Sequence, residues 1–280
     1  MWLLFSSVIC SVAVSVLLKL ARARHIQIAQ AIAFNYVSAI ALTLVLLQPK
    51  PSSLFTPHTP YWVVIALGVL LPSIFLVMAQ AVRHAGIVLS DAAQRLSLVI
   101  PLIAAAVVFG EVLAGTKWLG IGLGLMALVC LSFGSKKLNQ PIAASASVWL
   151  LGVWLGYGTI DVLFKQLSKS GAGFSSSLLV TFVLAALLLF SWLAWQKTQW
   201  HARSIMAGLL LGLLNFGNIY FYIRAHQHFP EHPTLVFATM NIGVITLGTL
   251  IGAGAFKEKL SPISIIGIGL ALSAVVALLP

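Results

Sequence analysis

Residues Gly120–Leu131 read GIGLGLMALVCL, and residues Gly267–Leu278 read GIGLALSAVVAL. Eight of these twelve positions are identical at an offset of 147 residues, and the same offset pairs Glu111 with Glu258. A constant offset of about half the chain length indicates an internal duplication. The two stretches are also almost wholly apolar, so the repeated unit is one that buries itself in an apolar environment.

The composition of the rest of the chain identifies that environment as lipid. Apolar residues make up 60% of the 280 positions, charged residues only 8%, and the mean hydropathy is +1.06. Soluble domains are about half apolar and about a quarter charged, because their surface has to stay in water. The net charge of +11 comes from basic residues scattered between apolar segments. This pattern suits lipid headgroups and excludes a nucleic-acid-binding surface, which needs a continuous basic stripe.

The apolar segments are long enough to cross a bilayer, which takes about 20 residues per helix. They cover residues 2–20, 26–47, 61–83, 87–109, 115–133, 146–166, 173–195, 203–226, 233–255 and 261–279. The sequence therefore predicts an all-α integral membrane protein with ten transmembrane helices, in two five-helix repeats at 1–134 and 145–280. Because five is odd, the second repeat is inverted relative to the first. Inverted repeats around a central cavity are typical of alternating-access transporters.

Short motifs at matching places in the two halves extend this interpretation. They are Leu96-Ser-Leu-Val-Ile-Pro101, Phe109-Gly-Glu111 and Lys117-Trp-Leu-Gly120, then Asn241-Ile-Gly-Val244, Phe256-Lys-Glu258 and Gly267. With these motifs the chain resembles the ten-helix EamA-type branch of the drug/metabolite transporter superfamily. The resemblance implies a multi-pass protein of the cell inner membrane, with a cavity lined mainly by helices 1, 3, 4, 6, 8 and 9. It implies no cofactor and leaves the substrate open among amino acids, sugars, nucleotide sugars and drugs.

Helix 4 carries the densest group of polar residues inside an apolar segment, and such residues are costly enough to be functional candidates. Asp91, Gln94 and Arg95 fall on one helical face, with Asp91 one turn before Arg95. Arg95 is a candidate for binding a substrate carboxylate or phosphate, with Asp91 setting its orientation. Alternatively, the two charges neutralise each other near the membrane surface.

Helix 8 carries a second stripe, in which Asn215, Asn218 and Tyr222 follow one another at helical spacing. These side chains line the substrate cavity or, alternatively, hydrogen-bond neighbouring helices. Asn241 in helix 9 stands at the duplicated position of the helix 4 glutamine, and Gln80 in helix 3 is a further substrate-binding candidate. The ligand that these groups predict is a small molecule with an anionic or zwitterionic part, such as an amino acid.

Four charged residues are candidates for coupling or gating. Asp161 precedes Lys165 by one turn in helix 6, and Glu111 and Glu258 lie at helix ends close to lysines. The two glutamates cap helices or gate the cavity. Proton coupling needs a buried acid that takes up a proton, and a basic neighbour opposes this. We therefore expect facilitated diffusion or exchange rather than proton coupling.

Other function classes fit the sequence less well. His226, His228 and His232 approach metal-ligand spacing, but we assign them to a loop, and no cysteine or acid completes a tetrahedral set, so we predict no metal site. An intramembrane enzyme is the non-transport alternative, although the helices lack a nucleophile or metal motif. Multidrug or organic-cation efflux is the alternative within transport, but it requires an acid without a basic neighbour.

Orientation and oligomeric state follow less directly. The connections after helices 1, 3, 5, 7 and 9 carry ten basic residues, whereas the other face carries five. The positive-inside rule therefore puts both termini outside, while the resemblance implies that both are cytoplasmic. We follow the resemblance. Glycines at small-xxx-small spacing, such as Gly208 with Gly212, predict close helix packing within a monomer or across a homodimer.

Overall fold

The computed structural model describes residues 1–23, 26–50, 60–112, 115–133, 144–169, 173–255 and 261–278. These residues form ten α-helices and no β-strand, and a π-helical segment, Thr43–Leu47, continues the second helix. The helices are α1 (Trp2–Ala23), α2 (Ile28–Leu42), α3 (Tyr61–Leu96), α4 (Val99–Val107), α5 (Gly115–Phe133), α6 (Ala144–Ser168), α7 (Phe174–Trp195), α8 (Ala202–His228), α9 (Pro233–Ala255) and α10 (Pro262–Leu278).

The helices have the length and apolar surface of a multi-pass membrane protein. Within the described residues, six helical stretches are long and apolar enough to span a bilayer, and four further apolar helices are shorter. The six are Ile28–Leu47, Tyr61–Ala85, Ala146–Ser168, Phe174–Trp195, Ala202–His228 and Pro233–Ala255. Large apolar side chains such as Trp62 and Val107 are 62% and 78% exposed, which suits lipid and not water. The all-helical membrane prediction is confirmed at this level.

Pro101 lies just after a helix break, whereas Pro72 lies inside the continuous helix α3, and one predicted interruption was wrong. We expected a connection at residues 84–86, but α3 runs on to Leu96, and the break lies at Ser97–Leu98 instead. Pro101 follows this break in the first turn of α4, where its missing N–H costs little. The corresponding residue in the second half is Gly248, and α9 passes through it without a break.

At another pair of matching positions, the proline and the helix break are in the second half and the glycine is in the first. Pro233 begins α9 and separates it from α8, whereas Gly86, its counterpart at the offset of 147, lies inside α3. A proline at the first helical position is favourable because the N–H that it lacks would have had no partner within the helix. A single glycine only weakens a helix. The two halves therefore place their helix breaks differently for the same chemical reason.

The helices pack into two compact units, and each draws on both halves of the sequence. Unit 1 comprises Met1–Ser73 and Leu163–Gln227, and unit 2 comprises Ile74–Val162 and His228–Pro280. The helices α3 and α6 each contribute residues to both units. The units are thus not the two sequence repeats at 1–134 and 145–280, and the duplication stays a prediction from sequence.

In unit 1, α2 packs along α7 and is closely approached by α8. A Cβ atom at Gly208 would lie 2.5 Å from the carbonyl oxygen of Ala31, and one at Gly212 would collide with the backbone of Asn35. Neither residue tolerates a side chain, because the atoms opposite are backbone atoms that cannot move aside. The glycine spacing noted in the sequence therefore provides close packing between two helices of the same chain.

In unit 2, α5 packs along α10, and α9 packs against α4, α5 and α10. Gly120 lets the side chain of Leu278 approach α5, and Gly124 lies against the side chain of Ile242 on α9. The two stretches that revealed the duplication, on α5 and α10, are therefore direct packing partners. Their shared apolar, glycine-containing sequence suits this contact, since each helix presents small residues to the other.

Candidate functional site

A buried basic cluster lies between α6 and α8 in unit 1. Lys165 is 2% exposed, and His226 and Tyr222 are 1% and 4% exposed. Tyr222 packs edge-on against Phe164 with ring centroids 6.3 Å apart, and its ring lies 4.9 Å from that of His226. Lys165 directly follows Phe164 on α6, and the ring of Phe164 contacts Tyr222. We call Lys165, Tyr222 and His226 the Lys165 cluster.

Hydrogen bonds at the ends of α6 and α8 hold this cluster in place. Ser168 Oγ donates to the carbonyl oxygen of Lys165 at 2.6 Å, and Gln227 Nε2 donates to that of Ser168 at 3.3 Å. Arg224 in turn donates to Gln227 Oε1 at 3.2 Å. The last turns of both helices are thereby tied together, so the buried side chains between them have fixed positions.

The stripe predicted on α8 divides into two kinds of residue. Tyr222 belongs to the Lys165 cluster, as just described. Ser7 Oγ donates to both the carbonyl oxygen and Oδ1 of Asn218, each at 2.9 Å, so this asparagine connects α8 to α1. Asn215 is half-buried one turn earlier. For Asn218 the structure shows the hydrogen bond to a neighbouring helix that was the alternative to lining a cavity.

The break between α3 and α4 forms a second polar region, in unit 2. Ser97 and Leu98 are each 1% exposed, so the irregular backbone is buried. Trp154 Nε1 donates to the carbonyl oxygen of Leu96 at 3.0 Å, and Ser97 Oγ donates to that of Gln94. Carbonyl groups that α3 leaves unpaired at its end are thus satisfied by side chains, as a buried helix end requires.

This geometry changes the setting of the residues predicted in helix 4. Gln94 and Arg95 are half-buried in the last turn of α3 and not in the middle of a separate helix. A cation at this position is stabilised by the negative end of the helix dipole. The side chain of Asp91 lies outside the described residues, so its predicted pairing with Arg95 stays a prediction.

The remaining candidates in unit 2 are partly buried. Gln80 lies on α3, Asp161 lies on α6, and both are half-buried. Asn241 on α9 donates from Nδ2 to the carbonyl oxygen of Phe237, one turn earlier in its own helix, at 3.1 Å. Its predicted place beside Gln94 in a shared cavity stays a prediction.

Glu111 holds the start of α9. Its side chain is 1% exposed, and Oε1 forms an ion pair with Lys117 Nζ at 2.8 Å. Oε2 accepts the backbone N–H of Thr234 in the first turn of α9 at 2.8 Å. Lys117 Nζ also lies 3.3 Å from Nδ1 of His232. This arrangement agrees with the capping role considered for Glu111; Glu258 lies outside the described residues.

His226 is the residue that the sequence interpretation missed. We assigned it with His228 to a loop, but α8 extends to His228, so that assignment was wrong. His226 follows Tyr222 by four residues and therefore continues the polar stripe of α8 by one more turn. This spacing was the signal in the sequence. Among the residues that the structure describes, no three histidine, cysteine or acidic side chains are grouped to hold a metal ion.

Comparison with known proteins places the chain among relatives. No family model matches it. It is 48% identical over 280 residues to an uncharacterized protein of Haemophilus influenzae, in an alignment that covers 98% of this chain and 96% of the relative. A protein of known crystal structure shares the fold, with a TM-score of 0.77 over 99% of this chain and 94% of that one, at 16% identity. The chain therefore belongs to the same protein family as the Haemophilus influenzae protein.

Proposed function

We propose that the protein is a secondary transporter of a small metabolite, a ten-helix EamA-type member of the drug/metabolite transporter superfamily in the cell inner membrane. In this proposal two inverted five-helix repeats surround a central cavity. Rocking of helix bundles opens that cavity to each side of the membrane in turn. No catalytic step and no cofactor are required, because the chemistry consists of binding and release.

The observation that carries the proposal is the burial of Lys165. Lys165 lies in the last turn of α6 and is nevertheless buried, and burying a charged side chain is costly unless the charge is paired. A lysine at the end of a membrane helix commonly extends to the membrane surface, whereas the side chain of Lys165 is 2% exposed and packs inside unit 1. Intramembrane lysines and histidines commonly mark substrate or ion pathways, which is the function that we assign to the Lys165 cluster.

The buried break between α3 and α4 supports the same proposal. Irregular backbone at membrane depth is tolerated only where protein buries it or where it lines a cavity, and transporters use such broken helices to form binding sites. Gln94 and Arg95 lie directly before the break at Ser97–Leu98. The amide of Gln94 and the guanidinium group of Arg95 thus lie in the last turn before a buried helix break.

The charges favour an anionic or zwitterionic substrate with an apolar part. Lys165 and Arg95 are basic, and Tyr222 packs against Phe164 within unit 1. The buried acid Glu111 is paired with Lys117. We therefore propose export of amino acids or similar amphipathic metabolites. Organic-cation efflux, which needs an available buried acid, is the less favoured alternative.

A thermal-stability screen tests the proposed substrate class. The purified protein is heated with amino acids, nucleosides, sugars or organic cations, and a ligand at 100 times its dissociation constant adds about 2.7 kcal/mol to the folded state. We expect a zwitterionic or anionic class to raise the melting temperature, and both Lys165→Met and Arg95→Ala to abolish the shift. Lys197→Met is the matched control, because Lys197 is exposed beyond the end of α7.

The opposite pattern would refute the substrate assignment. If organic cations alone stabilise the protein, and neither Lys165→Met nor Arg95→Ala alters the shift, the amino-acid proposal is wrong and cation efflux replaces it. A shift that Lys197→Met removes as well would indicate a loss of general stability and not of a binding site.

A further inference from the structure

An open apolar groove lies along α1 and α8 in unit 1. Its volume is about 1160 Å³, and all described residues that line it belong to this unit. Leu17 and Leu20 form one wall on α1, and Met206, Leu210 and Leu213 form the other on α8. Ser38 of α2 also lines it, but its hydroxyl group is already bound to the carbonyl oxygen of Leu209 at 2.9 Å.

The contacts between the described residues of α1 and α8 lie in the first half of α1 and the second half of α8. Trp2 packs edge-on against Phe221 with ring centroids 6.0 Å apart, and the hydroxyl group of Ser7 donates a hydrogen bond to Asn218. Cys10 Sγ is 3.1 Å from the Cβ position of Gly217. The two helices run antiparallel through these contacts, and the groove begins beyond them, where α1 approaches its end and α8 its start.

The walls of the groove are exposed and strongly apolar. Met206, Leu210 and Leu213 are 66%, 48% and 50% exposed, and Leu20 is 41% exposed. Met206, Leu210 and Leu213 follow one another along α8 at the spacing of a single helical face. In a membrane protein such a face is covered by hydrocarbon, because no water is available to wet it.

Among the described residues that line the groove, the charged one stands at the end of the groove. Arg203 is the second residue of α8 and is exposed. From Arg203 to Leu213 the helix rises about 15 Å at 1.5 Å per residue. This is half of a hydrocarbon core of about 30 Å, so the groove has the depth of one lipid leaflet. A cation at one end and an apolar channel of leaflet depth match a phospholipid in both charge and length.

Hydrogen bonds fix the end of the groove where Arg203 lies. The backbone N–H of Gln27 donates to Ser204 Oγ at 3.1 Å, and that of His201 donates to Gln30 Oε1, also at 3.1 Å. Gln30 Nε2 donates to the carbonyl oxygen of Gln199 as well. The start of α2 is thereby joined to the segment that leads into α8. The backbone that carries Arg203 is therefore held in place by hydrogen bonds.

From these features we infer a binding site for an anionic phospholipid, which lies along α1 and α8 with one acyl chain in the groove and its phosphate at Arg203. The site differs from the Lys165 cluster and from the break after α3, and it does not depend on the transported substrate. A lipid there would stabilise the diverging ends of α1 and α8.

Native mass spectrometry of the purified, full-length protein tests this inference. The protein in detergent is titrated with phosphatidylglycerol or phosphatidylcholine carrying identical acyl chains. We expect tighter binding of the first phosphatidylglycerol molecule, and Arg203→Gln to weaken it by about fivefold, the effect of one arginine at an anionic surface. Ala207→Phe, which fills the groove, should weaken both lipids. Arg83→Gln is the control, because Arg83 is exposed on α3 in unit 2.

Two results would overturn the inference. The first is phosphatidylglycerol binding that Arg203→Gln leaves unchanged, or that Arg83→Gln weakens equally, which would indicate diffuse attraction to basic residues. The second is a change in oligomeric mass with Ala207→Phe at unaltered lipid binding, which would mean that a second copy of the chain covers the groove. Arg203→Gln alone decides the question if Ala207→Phe does not fold.

Discussion

Glu111 shows how a single carboxylate serves two purposes in an apolar protein. One oxygen pairs with Lys117, and the other accepts an N–H group that the first turn of α9 cannot use internally. A buried carboxylate without such partners would be very costly. Glu111 therefore connects the segment after α4 to the start of α9. Glu111 and Thr234 are 123 positions apart in the chain.

Substitution of Glu111 separates the two contacts. Glu111→Gln keeps an acceptor for Thr234 but loses the ion pair, so we expect a loss of about 1 kcal/mol in unfolding free energy. Glu111→Ala loses both contacts and should cost about 2–3 kcal/mol, since a helix cap contributes about 1 kcal/mol more. The measurement is unfolding in mixed micelles of increasing SDS content.

Glu231→Gln provides the control for this prediction, because Glu231 is an exposed acid near the same helix start. We expect its unfolding curve to match that of the unaltered protein. A Glu111→Ala variant as stable as the unaltered protein would show that neither the ion pair nor the cap contributes to stability.

Burial of a particular residue was harder to predict than its position on a helix. The stripe of polar residues on α8 follows from sequence spacing alone, and Tyr222 lies in the Lys165 cluster on this face. His226 fits the same spacing, but the nearby Pro230 suggested an earlier helix end. That Lys165 is among the most buried side chains could not be read from the sequence, because burial depends on which helices pack against α6.

Two helix breaks lie at prolines that occur in one half of the chain only, although Pro72 lies inside α3 without breaking it. The two halves share an offset of 147 residues, but Pro101 faces Gly248 and Pro233 faces Gly86 in that alignment. Each proline stands in the first turn after a break, and each glycine lies inside a continuous helix. The duplicated sequence therefore yields two different sets of helix ends.

Replacement of Pro101 tests whether this break matters. Ala has the best helix propensity and supplies the missing N–H, so Pro101→Ala should favour a continuous helix through Ser97. We expect hydrogen exchange of the amides in residues 97–102 to slow by about tenfold, a change of about 1.4 kcal/mol in local opening.

We also expect Pro101→Ala to weaken ligand binding in the thermal screen without loss of stability. Pro262→Ala is the control: Pro262 stands at the first position of α10, where the missing N–H has no function in the helix. Unchanged exchange and unchanged ligand binding in Pro101→Ala would show that residues around the break, and not the proline, determine the local backbone.

The sequence predicted the number of helices well and their ends less well. Ten apolar segments were predicted, and the described residues form ten helices, of which six are long and apolar enough to span a bilayer. The connection expected at residues 84–86 failed because this stretch has only Gly86 to interrupt a helix, and a lone glycine is a weak signal. The strong signal, Pro101, lay in the middle of the predicted segment 87–109, where we expected no connection.

At the scale of the whole molecule, sequence duplication and spatial packing divide the chain differently. Unit 1 combines α1 and α2 with α7 and α8, and unit 2 combines α4 and α5 with α9 and α10. Apolar periodicity cannot reveal such pairing, because every face of a membrane helix is apolar whether it meets lipid or protein. The pairing depends on local contacts, such as the close approach of the α8 backbone at Gly208 and Gly212 to the backbone of α2.

Transport by the reconstituted protein tests the central claim most directly. Proteoliposomes are loaded with a mixture of amino acids, and the compounds that leave them are measured by mass spectrometry. We predict that at least one amino acid leaves about tenfold faster through the unaltered protein than through Lys165→Met, a loss of about 1.4 kcal/mol, while Lys197→Met retains the full rate. Efflux no faster than from protein-free liposomes, or an unaltered rate in Lys165→Met, would contradict the account.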